Sequence, residues 1–180
     1  MLKVFQLRVA RSTLGLGVRD IGAYINLSRS TISKIERMDV HSELNITYEQ
    51  NTILLKIFND KGIFFPDVNS VSCKNINYSL KGSITRFQLR GSRAVLGLSQ
   101  RELAELIYIK KSDLNYLENL DNTSYVSGKK LDINQSKINV FFEESGITFP
   151  NNGTILIKKI DNDSLRVVSS LSSYKKKCQL

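Results

Sequence analysis

The segment Leu27–Glu36, "LSRSTISKIE", sets a guanidinium, an ammonium and three hydroxyls within a few residues of one another, at Ser28, Arg29, Ser30, Ser33 and Lys34, with Arg37 just beyond. Side chains of these types recognise nucleic acid. An arginine bonds bidentately to a guanine edge, a contact worth about 1–3 kcal/mol of discrimination, and serines reach bases or phosphates. Lysine and a second arginine neutralise phosphates and make binding salt-sensitive. Arg29 is the best candidate for a base contact, and Arg19 belongs to the same DNA-facing set. The chemistry of catalysis is missing by comparison. His41 is the single histidine, sits in a polar stretch and is expected to be an ordinary surface residue. No glycine-rich phosphate loop, metal-ligand spacing or nucleophile arrangement stands out, so neither an enzyme nor a cofactor is expected.

Helical periodicity is what would hold those side chains in a row. Ile21 and Ile25 fit one face of a helix, and Asn26 can take the left-handed conformation that ends it. Ser28 is a good N-cap for the next helix, whose inner side is Ile32 and Ile35. Two short helices joined by a tight turn, with a polar face turned outward, make a helix-turn-helix.

The unit occurs twice. "FQLRVARSTLGLGVRDIGAYINLSRSTISKIE" (5–36) aligns with "FQLRGSRAVLGLSQRELAELIYIKKSDLNYLE" (87–118) at an offset of 82, and "GIFFP" (62–66) aligns with "GITFP" (146–150) at 84. A tandem duplication implies two units, each burying its own core. In each, a first helix ends at Gly15 or Gly97, and a later one runs through Ile53, Leu54, Ile57 and Phe58, or through Ile138, Phe141 and Phe142. Ser99 and Glu102 form a capping box for the second helix of copy two. Gly17 and Asp20 have lost it in copy one, so that helix is expected to start less firmly. After Phe65-Pro66 and Phe149-Pro150 the chain is expected to run extended. Residues 69–79 are a weak strand candidate, while 153–161 and 165–169 form a hairpin around "DNDS". The fold expected is mainly α: two helix-turn-helix domains of four to five helices each (1–66 and 83–150), a linker (67–82), a β-hairpin (151–170) and a basic tail (171–180).

The helical motifs resemble the phage-repressor and Cro type, or XRE family, of bacterial and phage helix-turn-helix regulators. Copy one matches the later part of that pattern in "LSRSTISKIE", and copy two the earlier part in "LGLSQRELAE" (96–105). The resemblance implies a transcriptional regulator that binds double-stranded DNA. It also implies that Gln100 holds a phosphate at the start of its helix, where copy one has Val18. Copy two departs from the pattern at Tyr108, a poor residue for the turn, and at Lys110, which replaces the capping serine. Its outward residues are Lys110, Lys111, Ser112 and Asn115, the last suited to adenine; Asp113 repels phosphate, and Tyr116 is expected to pack half-buried. Arg8 with Arg11, and Arg90 with Arg93, either touch phosphates or act as partners of Glu36 and Glu118, the structural role being favoured.

Two unlike reading helices in one chain imply an asymmetric site with half-sites about 34 Å apart. The alternative is that copy two is a pairing surface, through which the chain forms a homodimer or heterodimer, with the strands of 153–169 suited to it. A different class also stays open: a protein-interaction module, antitoxin-like or a co-regulator, with weak DNA binding. RNA polymerase or another regulator is a further partner for an activator. Control by abundance or by a partner is expected. The formal charge of +9 is spread over both halves, with 11 Lys/Arg against 7 Asp/Glu in residues 1–82 and 15 against 10 in 83–180, as a polyanionic partner would favour. Cys73 and Cys178 match no metal spacing and are expected to be free thiols. With no apolar run long enough for a membrane span and no secretory signal, a cytoplasmic location is expected.

Overall fold

A computed structural model describes residues 1–76, 82–126 and 132–158. The repeated string Phe-Gln-Leu-Arg opens the first helix of each copy, α1 (Val4–Thr13) and α5 (Arg86–Val95). Phe5, Leu7, Phe87 and Leu89 are buried in the core. The glutamines work at both ends of their amides. Gln6 Oε1 accepts from the Lys3 amide (2.9 Å), and Gln88 Oε1 from the Thr85 amide (3.0 Å), satisfying backbone donors that a helix start leaves orphaned. Gln6 Nε2 donates to the carbonyls of Asp67 and Ser70, and Gln88 Nε2 to those of Asn151 and Thr154, so each helix is tied to the strand that ends its copy. Arg8 and Arg90 donate to the carbonyls of Glu36 and Glu118.

Around these helices copy one adds α2 (Val18–Ile25), α3 (Arg29–Ile35), α4 (Tyr48–Asp60), β1 (Ile63–Phe64) and β2 (Ser70–Cys73). Copy two repeats the order as α6 (Gln100–Leu106), α7 (Lys111–Glu118), α8 (Asp132–Glu144), β3 (Ile147–Thr148) and β4 (Thr154–Ile157). The described chain is therefore mainly helical, with one small antiparallel sheet. The offset grows from 82 to 84 between the end of α7 and the start of α8.

The two copies are joined across an approximate twofold axis. The sheet order is β1-β2-β4-β3, and at its centre Val71 pairs with Ile155, its own equivalent 84 residues on, flanked by Ser70–Leu156 and Ser72–Thr154. Helices α1 and α5 cross on the same axis, where Gly91 lies against Val9, its equivalent 82 residues back. A Cβ on Gly91 would stand 3.1 Å from Val9 Cγ1 and 2.4 Å from Ile155 Cδ1, so the missing side chain is what lets helix, helix and sheet close together. Two bonds across the junction end on matching acceptors from unmatched donors. Arg8 donates to the carbonyl of Val95 (3.2 Å) and Arg86 to that of Thr13 (2.6 Å), equivalent residues at the ends of α5 and α1.

Two expectations change on this frame. Each copy does not bury a core of its own: buried residues of both form one continuous core. Within the expected linker the weak strand candidate is a strand, β2 at Ser70–Cys73, and it makes the junction. β4 (Thr154–Ile157) is not an edge offered to another chain, because β2 and β3 already occupy both its sides; the rest of the expected hairpin, 159–169, lies outside the described residues. Residues 165–169, the tail 171–180 and Cys178 lie outside the described residues. No described helix is long and apolar enough to cross a membrane.

Candidate nucleic-acid interface

In copy one, α2 starts more firmly than Gly17 suggests, since Asp20 Oδ2 still accepts from the Gly17 amide (2.6 Å) and supplies half of the capping box. It ends at Asn26, which takes the left-handed conformation (φ 53°, ψ 46°). The chain then turns through Leu27 to Ser28, whose Oγ accepts from the Thr31 amide (3.1 Å) and starts α3. Ile21, Ile25, Ile32 and Ile35 fix the pair against the core. By 3.6-residue periodicity Arg29, Ser30 and Lys34 are turned to solvent, with Arg37 beyond the helix end and Ser33 half-buried.

The cations of this face are uncommitted. Among the described residues no hydrogen bond or ion pair engages the side chains of Arg19, Arg29, Lys34 or Arg37. Arg19 and Arg29 border one shallow depression at the start of α2, together with Asp20. The serines are less free. Ser28 Oγ lies 2.7 Å from Ser30 Oγ and 2.9 Å from Thr31 Oγ1, a hydroxyl cluster at the helix start. Thr31 is absent from the residues expected at this face, although its place three residues after an N-cap serine is a signal for it.

Copy two repeats the arrangement with other residues. Ser99 and Glu102 close the expected box, with the Ser99 amide donating to Glu102 Oε2 (2.8 Å) and the Glu102 amide to Ser99 Oγ (3.2 Å). Tyr108, which the sequence marks as unsuited to the turn, adopts the left-handed conformation nevertheless (φ 58°). Its ring is exposed, with Lys137 Nζ 5.9 Å from the ring centre, a cation–π contact that offsets part of the strain. Lys110 precedes α7 without a side-chain cap. Lys110, Lys111, Ser112 and Asn115 are exposed, and Ser112 Oγ donates to Asp113 Oδ1 (3.3 Å). Tyr116 is 66% exposed rather than half-buried, because Leu114 and Leu117 already fill the inner side of α7.

Two sets of residues behind these faces prove to be internal. Gln100 spends one of its two amide hydrogens inside the protein: Nε2 donates to Glu118 Oε2 (2.9 Å). Arg11 grips Glu36 through Nε and Nη2 (2.6 and 2.9 Å) and donates to the Leu16 carbonyl, and Arg93 does the same with Glu118 and Leu98. The pairs thus lock the last turn of α3 or α7 and the turn after the first helix to that helix. Arg8, Arg11, Arg90 and Arg93 draw together near the axis. Burial lowers the pKa of Arg8 and of Arg90; Glu36 and Glu118 oppose this, while neighbouring arginines add to it, Arg11 for Arg8 and Arg93 with Arg11 for Arg90. Arg86 is lowered to about 10, chiefly by burial and then by Arg90. A guanidinium that stays charged feels this as a cost of desolvation, met by its hydrogen bonds. Arg90 Nε is buried with no acceptor.

His41 is only half-exposed, its ring centre 6.3 Å from that of Phe5 in an edge-on contact at the margin of the core. Cys73 is a free thiol, with a pKa raised to about 11 by burial. Among the described residues no group of three His, Cys, Asp or Glu could hold a metal ion. No protein-family model matches this chain, and no curated protein or solved structure matches it either.

Proposed function

We propose that the chain is a sequence-specific regulator that binds double-stranded DNA, in which α2–α3 and α6–α7 are two helix-turn-helix units and α3 enters the major groove. The observation that carries this is the outer face of α3. Arg29, Lys34 and the following Arg37 project from a short helix fixed by isoleucines and an N-cap, and none has a side-chain partner among the described residues. Arg29 reads a base edge, Ser30 and Ser33 make weaker contacts, and Lys34, Arg37 and Arg19 meet phosphates. On α7, Lys110, Lys111 and Ser112 meet the backbone and Asn115 reads a second, different half-site.

The twofold arrangement supports a single chain in the role of a dimer, since it relates the two helix pairs as the protomers of a symmetric dimer would be related. Selection of bound DNA from a random pool tests it. A motif with two unlike halves about one helical turn apart is expected, and Arg29→Ala should relax one base position by about 1–3 kcal/mol while Asn115→Ala relaxes one in the other half. A palindrome would confine reading to copy one.

A protein-interaction role has one observation of its own. Tyr108 and Tyr116 are 69% and 66% exposed on copy two, an aromatic surface beside Asp113. Absence of any enriched sequence, with weak salt-sensitive binding only, would favour that role.

A further inference from the structure

An open cleft of about 500 Å³ is lined by α1 and bounded on one side by the end of α3 and on the other by the end of α5 and the turn that follows it. Arg8, Arg11, Arg37 and Arg93 line it, and Glu36 is the one carboxylate among its lining residues. Both oxygens of Glu36 are already engaged by Arg11. A guanidinium has five N–H donors. Arg11 and Arg93 each use one hydrogen on every nitrogen, which leaves one on each terminal nitrogen, and their bidentate pairs hold the planes fixed. Arg8 is held likewise, by the carbonyls of Glu36 and Val95. Arg37 has no partner among the described residues. Across the axis Asn119 stands where Arg37 does, so the excess of charge is one-sided.

A concave wall of fixed, partly desolvated guanidiniums with spare donors is suited to a tetrahedral oxyanion. We propose that this cleft is a phosphate-binding site, and that the phosphate it takes is one of the DNA backbone between the two half-sites. The choice of DNA as the source rests on α3 being a reading helix, because the end of α3 forms one wall of the cleft; the phosphate chemistry itself does not depend on that.

Ala94→Glu tests the site, since Ala94 is a half-buried wall residue with no polar role. A carboxylate there sits among arginines and should leave the melting temperature unchanged or higher, while repelling phosphate. Affinity for the selected DNA should fall about tenfold, and the slope of log affinity against log salt should become shallower by about 1. The base preference set by Arg29 should not move. Arg37→Gln, an exposed change without a folding role, should act in the same direction if the glutamate variant fails to fold. Methylphosphonates at the spacer phosphates should weaken binding of the unaltered protein and have little effect on Ala94→Glu.

Titration of the DNA-free protein with inorganic pyrophosphate separates the sources. Pyrophosphate binding that Ala94→Glu abolishes, with spacer methylphosphonates silent, would keep the phosphate site and overturn its assignment to DNA. Loss of sequence-specific binding altogether, with pyrophosphate still bound, would refute the reading helices and leave the site standing. An unchanged salt slope, silent methylphosphonates and no pyrophosphate binding would overturn the proposal and leave a solvent-filled gap.

Discussion

Gly91 offers a quantitative test of the junction, because its missing side chain is accounted for by particular atoms. In an exposed helix Gly→Ala stabilises by about 0.8–1.0 kcal/mol. Here the added Cβ would come within 2.4 Å of Ile155 Cδ1, far inside contact distance, and 3.1 Å from Val9 Cγ1. Overpacking of a closed core costs about 1–3 kcal/mol, so Gly91→Ala should be destabilising by up to about 2 kcal/mol despite the gain in helix propensity. Ile155→Val removes the offending Cδ1 and alone should cost about 0.5–1.5 kcal/mol. Together the two should cost less than their sum, by about 1 kcal/mol or more, since the valine leaves room for the new methyl. Urea denaturation of the four proteins of the cycle measures the coupling. Additivity within about 0.3–0.5 kcal/mol would mean that the residues do not touch. The twofold packing of α5 on α1 and β4 would then be wrong.

The ion pairs behind the helix faces differ in burial, and so should their mutants. Glu118 is 1% exposed and Arg93 15%, against 13% for Glu36 and 23% for Arg11. Glu118→Ala strands Arg93 and Gln100, and should cost about 3–5 kcal/mol in chemical denaturation, with Glu36→Ala costing less; equal small losses would show that neither pair is structural. At the turns, Tyr108→Asn should raise stability by up to about 1 kcal/mol and Asn26→Tyr lower it by a similar amount, since an ordinary side chain in the left-handed conformation costs about 1–2 kcal/mol; thermal melts in which Tyr108→Asn is destabilising would refute this. The Cys73 thiol, its pKa raised to about 11, should alkylate much more slowly at pH 8 in the native Cys178→Ser protein than in the same protein unfolded. Because the folded-state value lies above the unfolded one, its contribution to stability is present below the unfolded pKa and is lost as pH rises towards 11.

The repeat, its offset and the inner faces of α2 and α3 are legible in the sequence, because hydrophobic spacing and caps are local signals. Ser28, Asn26 and the Ser99–Glu102 box need only a few neighbours to be read. Gln6 and Gln88 are only half legible that way, through the cap each makes three residues back. Their other partners lie about 60 residues on, at Asp67, Ser70, Asn151 and Thr154, and no local pattern points to them. A still longer separation hides the pairing of β2 with β4, so Thr154–Ile157 reads naturally as an arm of a nearby hairpin. Gln100 misleads for a different reason: resemblance to a motif assigns an amide to a ligand, while a buried carboxylate 18 residues away takes one of its hydrogens. Tyr116 is placed half-buried by spacing alone, and spacing does not show which inner positions are already filled.

The two copies also serve as a comparison with each other. Residues identical in both, Phe5 and Phe87, Gln6 and Gln88, Arg11 and Arg93, Glu36 and Glu118, all have inward partners in the core, the sheet or one another. Most outward residues diverge: Arg29 faces Lys111 in the alignment, Thr31 Asp113, Ser33 Asn115, Lys34 Tyr116 and Arg37 Asn119, while the exposed pairs Arg19 and Arg101, and Ser30 and Ser112, are the same in both. Packing accounts for the constant frame, since each inward pair holds its own helix. The buried Arg93–Glu118 pair, joined by Gln100 where copy one has Val18, stands behind α7. Those residues hold α7 in place, so the face it presents, with Lys111, Asn115 and Tyr116, is positioned as firmly as that of α3. The chain thus carries two differently worded surfaces on one rigid support, and a partner that engages both must itself be asymmetric.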